Sequence, residues 1–250
     1  MSHIKICGKT ISLFSFDLWE TVIKEDGENE RMMRRAKFLS KKLSLTPNHV
    51  LNALRNAAKH FFDVYSREQR TMSTRERIEL TIKLLNKKLS EEDFLEVETY
   101  FSTVQLEVMP PLMENIEEFL AILKENNVKI TMISDTGFTK GREMRKMLDL
   151  HGIYHYFDKF VFSDEEPVSK PHEHVFKKIE DHFPEISNNA MLHIGDNPRT
   201  DIAGAENRGW HTILFQRNIE ISRKHFTERS DLIRVKSYKE LISMTQYVAK

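Results

Sequence analysis

Between residues 28 and 108 four amphipathic helical stripes follow one another with no strand between them, and this block constrains the fold more than any other feature. Met32, Ala36, Leu39 and Leu43 recur at helical spacing, and Val50, Leu54, Ala57, Phe61 and Val64 repeat it after Thr46 and Pro47, a cap and a first-turn proline. Ile78, Ile82, Leu85 and Leu89 form a third stripe. Phe94, Val97, Phe101 and Val104 form a fourth, introduced by Ser90 and Asp93 as a capping box and closed by Pro110 and Pro111. The flanking sequence is of another kind. "ISLFSF" is a short buried strand that ends at Asp17. After the block come a helix carrying Ile116, Phe119, Leu120 and Leu123, the strand "VKITMIS", a helix around 144–148 and the strand "FDKFVFS". The helix "HEHVFKKIEDHF", the strand "AMLHIGD", the helix "TDIAGAENRG" and the strand "WHTILF" follow, and "SYKELISMTQYVA", capped by Ser237, closes the chain. Such alternation implies a parallel sheet covered on both faces, an α/β fold. The four helices are then an insertion (28–108) after the first strand of a core built from 1–27 and 109–250.

Composition narrows the function. Lys plus Arg and Asp plus Glu balance at 38 each, which gives no electrostatic case for a nucleic acid or an anionic membrane as partner. The basic run "RMMRRAK" reads as a solvated helix face. One cysteine, Cys7, allows neither an internal disulfide nor a cysteine-based metal site. No run reaches the roughly 20 apolar residues of a membrane span, and "MSHIKICGKTISLF" lacks the apolar stretch of a signal peptide. A soluble, cytoplasmic protein is expected.

In open parallel sheets, ligands bind beyond the carboxyl ends of the strands. The strands and loops here deliver to that rim Asp17, then Ser134 with Asp135 and Thr136, then Lys170 in "VSKPHEHVF", then Asp196 with Asn197 and Asp201 in "GDNPRTD". This set suits phosphoryl chemistry. Asp17 and Asp196 supply the oxygen ligands that Mg²⁺ prefers, Ser134 and nearby backbone amides donate to phosphate oxygens, and Lys170 neutralises charge.

"FDLWET", "TMISDTG", "SKPHEHVF" and "HIGDNPRTDIAGAENRGW" resemble, in order, the four motifs of the haloacid dehalogenase-like hydrolase superfamily. The last carries the most weight, with its Gly-Asp, a second Asp five residues on and a Gly-Ala-x-x-x-Gly tail. The resemblance spans roughly residues 12 to 215 and implies a Rossmann-like core with a helical cap inserted after the first motif. It also implies Asp17 as nucleophile, Ser134 and Lys170 as stabilisers of phosphate or intermediate, Asp196 as metal ligand and Thr21 as a hydroxyl shaping the turn. The expected reaction is hydrolysis of a small phosphorylated metabolite through an aspartyl-phosphate. The expected metal set is Asp17, the Trp19 carbonyl, Asp196 and Asp201, the last read more readily as a helix cap or a support of the ligands than as a direct ligand; Asp135, Thr136, Trp19 and Asn197 are assigned to the substrate.

Phosphatases of this superfamily usually carry aspartate where Trp19 stands. That acid protonates the leaving group and activates water, a service worth roughly 10²–10⁴ in rate. Glu20 or a histidine of the cap is the expected substitute. The alternatives are a haloacid dehalogenase, whose relatives place an aromatic residue there, and a fold that has kept binding but lost catalysis. His172 and His174 read as a surface pair, and His193 as structural.

Overall fold

The computed structural model describes residues 4–217 and 232–247, and the architecture below is that of these residues. Two short strands, β1 (Ile4–Ile6) and β2 (Lys9–Ile11), precede β3 (Leu13–Phe16). Four helices follow: α1 (Glu28–Leu43), α2 (Pro47–Glu68), α3 (Thr74–Leu84) and α4 (Glu91–Glu107). Then come α5 (Ile116–Glu125), β4 (Lys129–Ser134), α6 (Gly141–Leu150), β5 (Lys159–Phe162) and α7 (Glu173–His182). The chain continues through β6 (Met191–Gly195), a wide turn over Pro198–Ile202, α8 (Ala203–Glu206) and β7 (His211–Phe215). It ends with β8 (Ile233–Val235), α9 (Tyr238–Met244) and β9 (Thr245–Tyr247). Six strands form one parallel sheet in the order β5-β4-β3-β6-β7-β8. With helices packed against both faces this is the α/β arrangement that the alternation implies and the Rossmann-like core that the resemblance implies.

Period-two geometry sends successive residues of β3 to opposite faces. Phe14 and Phe16 join Phe119, Met132, Phe162 and Tyr238 in one buried cluster. Leu13 joins Ile133, Val175, Phe176 and Trp210 in another. Tight seams fix the layers: a Cβ at Gly204 of α8 would run into the Phe176 ring of α7.

The helices α1–α4 hold a cluster of their own, with Ala36, Leu39, Val50, Leu54, Ile78, Val97 and Phe101 at its centre. Phe138, from the loop after β4, reaches into this cluster and meets the Phe101 ring edge-on at 5.3 Å. The caps follow the sequence signals in part. Thr46 accepts from the His49 N–H, with Pro47 in the first turn. Ser90 accepts from the Asp93 N–H, but the Asp93 carboxylate takes the Ser90 hydroxyl; the reciprocal capping box sits instead at Ser73 and Glu76. Arg31, fully buried on α1, donates through Nη1 to the carbonyls of Asp26 (2.6 Å) and Val108 (3.2 Å), so one guanidinium ties together the segments that enter and leave the four helices.

Three local readings differ. "ISLFSF" breaks at Ser12, where its N-terminal part pairs with β1 and only Leu13–Phe16 joins the parallel sheet. The closing helix stops at Met244, because Thr245–Tyr247 pairs with the open edge of β1 to complete an antiparallel sheet, β2-β1-β9; the last two residues expected in that helix lie outside the described residues. The third stripe outlasts its helix: α3 ends at Leu84, and Asn86 takes a left-handed φ of 50° that a continuing helix does not allow. Among the described residues no helix is long and apolar enough to cross a membrane.

Because Phe101 is fully buried between the helices and the loop after β4, Phe101→Ala is expected to cost about 3–5 kcal/mol. Denaturant midpoints of the two proteins check this; a loss below about 1 kcal/mol would show that the site relaxes around the missing ring.

Candidate active site

β3 and β6 are neighbours, and β4 and β5 lie to one side of the pair while β7 and β8 lie to the other. The strand order therefore reverses between β3 and β6, and such a switch point opens a crevice beyond the strand ends. Asp17 follows β3 directly, its N–H bound to the Ile194 carbonyl at 2.8 Å, and Asp196 follows β6. Oxygens of Asp17, Asp196 and Asp201 all lie within 4.8 Å of one another. Lys170, from the loop between β5 and α7, brings its ammonium to 2.6 Å from both Asp17 Oδ1 and Asp201 Oδ1. All three partners are almost fully buried.

Asp201 is held from three directions. Its Oδ1 accepts from Lys170 and from His193 Nε2 (3.2 Å), and its Oδ2 accepts the Asn197 N–H at 3.0 Å. Gly195 leaves room for this, since a Cβ there would collide with the Asp201 carboxylate. Burial lowers the affinity of His193 for a second proton; the neutral ring donates through Nε2 to Asp201 and accepts at Nδ1 from the Ser15 hydroxyl, 2.9 Å away.

The charges do not balance. Burial works against ionised Asp201, yet Lys170 and His193 hold its pKa down at about 2. Asp17 shares the same ammonium without such further donors; burial, opposed by Lys170 and reinforced by Asp201, pushes its pKa up to about 7. Burial and the nearby charges of Asp17 and Asp201 push Asp196 to about 8. Three carboxylates face one ammonium, and the two with raised pKa values are those that lack a full set of donors. Oxygen donors this close, with uncompensated charge, fit a hard divalent cation.

The other expected residues divide. Ser134 is buried at the end of β4, and its hydroxyl makes one long contact, 3.5 Å, to the Asp135 carbonyl. Asp135 Oδ1 accepts the Lys170 N–H (3.1 Å) and Oδ2 accepts the Tyr65 hydroxyl (2.6 Å). Thr136 spends both its N–H and its hydroxyl on Ser163 Oγ, which also meets the Thr71 hydroxyl at 2.9 Å. Asn197 accepts from the Arg199 N–H. The Thr21 hydroxyl is buried with no hydrogen bond, so the turn it was expected to shape is held by backbone bonds from Val22 and Ile23 to the Leu18 carbonyl. Glu20 accepts from the Glu25 N–H and pairs with Arg217 at 3.3 Å. His172 and His174 stay apart from the acidic cluster, His174 bound to Glu166.

Trp19, Asp135, Thr136 and Asn197 share a cavity of about 390 Å³ whose far wall comes from α1, α2, α3 and α4. Tyr65, Arg35, Arg77 and Gln105 line that wall. Sequence reasoning missed all four, because each sits on a helical stripe with nothing local to mark which face meets the rim. The helices close onto the rim through Tyr65–Asp135, Thr71–Ser163, the Ser169 N–H to the Gln69 carbonyl (2.7 Å) and Thr74 to the Phe138 carbonyl (3.0 Å).

A sequence model described as haloacid dehalogenase-like hydrolase matches residues 11–209, most of the chain and all four strand-end segments. The chain belongs to the haloacid dehalogenase-like hydrolases. Among characterised members, a glyceraldehyde 3-phosphate phosphatase of Pyrococcus abyssi is 34% identical over 94 residues, 38% of each chain. A pyrimidine 5'-nucleotidase of Escherichia coli is 30% identical over 112 residues, 45% of this chain and 48% of its own. The aligned stretches thus span less than half of these relatives. In fold, a phosphatase of this family from Thermococcus onnurineus superposes with a TM-score of 0.65 at 18% identity, over 94% of this chain and 97% of its own.

The raised carboxylates give a pH signature. A group that binds protons more tightly when folded stabilises fully below its unfolded pKa, and that stability is lost as pH rises through the folded value. For Asp17 and Asp196 the loss runs from about pH 4 to pH 7–8. His193, whose pKa falls on folding, adds stability only as pH rises toward its unfolded value. In EDTA the melting temperature is therefore expected to fall between about pH 6.5 and about pH 8.5, and added divalent cation is expected to recover more at the higher pH. Equal recovery at both ends would contradict a cation shared by these two acids.

Proposed function

We propose that this hydrolase is a Mg²⁺-dependent phosphatase of a small phosphorylated metabolite, acting through an aspartyl-phosphate on Asp17. The observation that carries the reading is the placement of Asp17 beside Lys170 at the switch point, with Asp196 near enough to share a cation. Asp17 attacks phosphorus, the bond to the ester oxygen breaks and the alcohol leaves; water then cleaves the acyl phosphate, returning the free carboxylate and inorganic phosphate. Lys170 opposes the burial that would otherwise keep Asp17 protonated, so it favours the nucleophilic form. Ser134 donates its weakly engaged hydroxyl to a phosphate oxygen. Asp135 acts mainly by positioning Lys170, since both of its oxygens are taken. Asp201 does the same from the other side.

Asp17, Asp196 and the Trp19 carbonyl are the groups that would hold Mg²⁺. When bound, that ion supplies positive charge against the phosphate oxygens. Asp201 fits this ligand set less well, because Lys170, His193 and the Asn197 N–H already occupy its oxygens.

We read the block 28–108 as a cap over the site. The polar contacts of α2 and of the loop after it with the rim support this, and closure would exclude water from the reacting centre. With Trp19 in place of an acid and Glu20 turned to Arg217, the leaving alcohol takes its proton from water or from an acid at the cavity mouth, which limits turnover.

Asp17→Asn is expected to abolish hydrolysis of an aryl phosphate; retained activity would remove the nucleophile assignment. Trp19→Asp is expected to raise kcat, up to roughly 10²-fold. An unchanged kcat would show that protonation of the leaving group is not limiting. Release of chloride from 2-chloropropionate in EDTA would favour the dehalogenase reading instead.

A further inference from the structure

The far end of the cavity holds two buried cations that form no ion pair among the described residues, although Glu25 and Glu28 line the same cavity. Arg35 on α1 and Arg77 on α3 are both buried, 2% and 7% exposed. Their guanidinium carbons stand 4.8 Å and 3.5 Å from the centre of the same ring, Phe138, and Arg77 also lies 4.6 Å from that of Phe61. Arg35 donates through Nε to the Phe101 carbonyl at 3.1 Å, while among the described residues the Arg77 guanidinium makes no hydrogen bond and its Nε is buried without a partner. Among the described residues neither has a carboxylate within ion-pair distance. The acid nearest in charge, Glu28, pairs with Arg31 at 3.4 Å. Beside them the Gln105 Nε2 is likewise buried and unpartnered. Burying a guanidinium without an anion costs several kcal/mol, and two facing one ring repel each other. Burial and this repulsion bring the Arg77 pKa down to about 9.

The arrangement points outward from the reacting end. Arg77 Nη1 comes so close to Gly137 that a Cβ there would stand 3.1 Å away, and Gly137 follows Ser134, Asp135 and Thr136 directly. A molecule whose phosphate sits at Asp17 and Ser134 would extend along this loop toward the two guanidiniums. Planar forks of this kind match carboxylate and phosphate oxygens, and the aromatic rings that flank them hold their orientation.

We propose that Arg35 and Arg77, with the Gln105 amide, form a second anion site, so that the substrate is a small phosphate ester carrying a distal carboxylate or second phosphate. For the reacting end this rests on the phosphatase reading; for the anion site it does not. The test compares kcat/KM for two matched pairs: 3-phosphoglycerate against glycerol 3-phosphate, and ethylene glycol bisphosphate against its monophosphate. The first pair exchanges carboxylate for hydroxymethyl and the second exchanges phosphate for hydroxyl, so the arms separate the two anions. The wild-type chain is expected to prefer the doubly anionic member of at least one pair by roughly 30–100-fold, mainly through KM. Arg77→Met is expected to bring that ratio to about one, and Arg77→Lys, which keeps the charge, to retain part of it. Near-equal rates within both wild-type pairs, or a preference that survives both Arg77→Met and Arg35→Met, would overturn the proposal. If no ester is hydrolysed, calorimetry with the same compounds decides. Binding of a doubly anionic ester that is weakened in Arg77→Met upholds the anion site while the phosphatase reading falls. Binding that is absent, or unaffected by the substitution, removes the anion site.

Discussion

A single buried ammonium organises the rim of the sheet. Lys170 lies 2.6 Å from both Asp17 and Asp201, and its backbone N–H binds Asp135. An ammonium removed from water is tolerated only when carboxylates surround it, and carboxylates so placed are tolerated only with the cation among them. Asp17, Asp196 and Asp201 are not equivalent. Asp201, with His193 and a backbone N–H as added donors, stays ionised and acts as the fixed counter-charge. Asp17 keeps one weakly compensated oxygen, and Asp196 has no ammonium of its own. That asymmetry, which arises from the order of the strands, underlies the proposal that Asp17 reacts and that Asp196 shares a cation with it.

The same lysine loop connects the core to the helices above it. Asp135 binds Lys170 with one oxygen and Tyr65 of α2 with the other, so closure of the helices and orientation of the ammonium pass through one side chain. The cavity wall carries two buried guanidiniums that form no ion pair among the described residues, with Glu25 and Glu28 elsewhere in the lining. Clustered acids at the strand ends and two guanidiniums without an ion pair at the helical side make the two ends of the site chemically different. A cation at one end and an anion at the other would each relieve part of the cost of burial.

Much of this was legible in the residues, where the signal is local. The stripes of Val50, Leu54 and Phe61 or of Phe94, Val97 and Phe101 set helix faces that are buried as expected, because periodic apolar residues have few other places to go. The acids at strand ends were legible because a parallel sheet brings strand termini to one rim. What escaped depends on distant partners. β9 forms in place of a last helical turn because β1 offers an unpaired edge some 240 residues earlier in the chain. Tyr65 finds Asp135 across 70 residues, and among the described residues the fold brings no acid within ion-pair distance of the Arg77 guanidinium. The capping box moved from Ser90 to Ser73 for a smaller reason: a Glu side chain reaches back to the cap N–H, and the shorter Asp93 binds the hydroxyl instead.

Trp19 answers in geometry the question its neighbour poses in chemistry. Its backbone stands beside Asp17 while its ring both packs on the core and walls the cavity, so where the resemblance leads one to expect an acid, an indole shapes the space above the proposed nucleophile. The most direct measurement is a crystal structure with Mg²⁺ and beryllium fluoride, which mimics a phosphoryl group on aspartate. The account requires the fluoride adduct on an Asp17 oxygen and one Mg²⁺ touching both Asp17 and Asp196. An adduct on another residue, or a Mg²⁺ that leaves those two carboxylates apart, would contradict it.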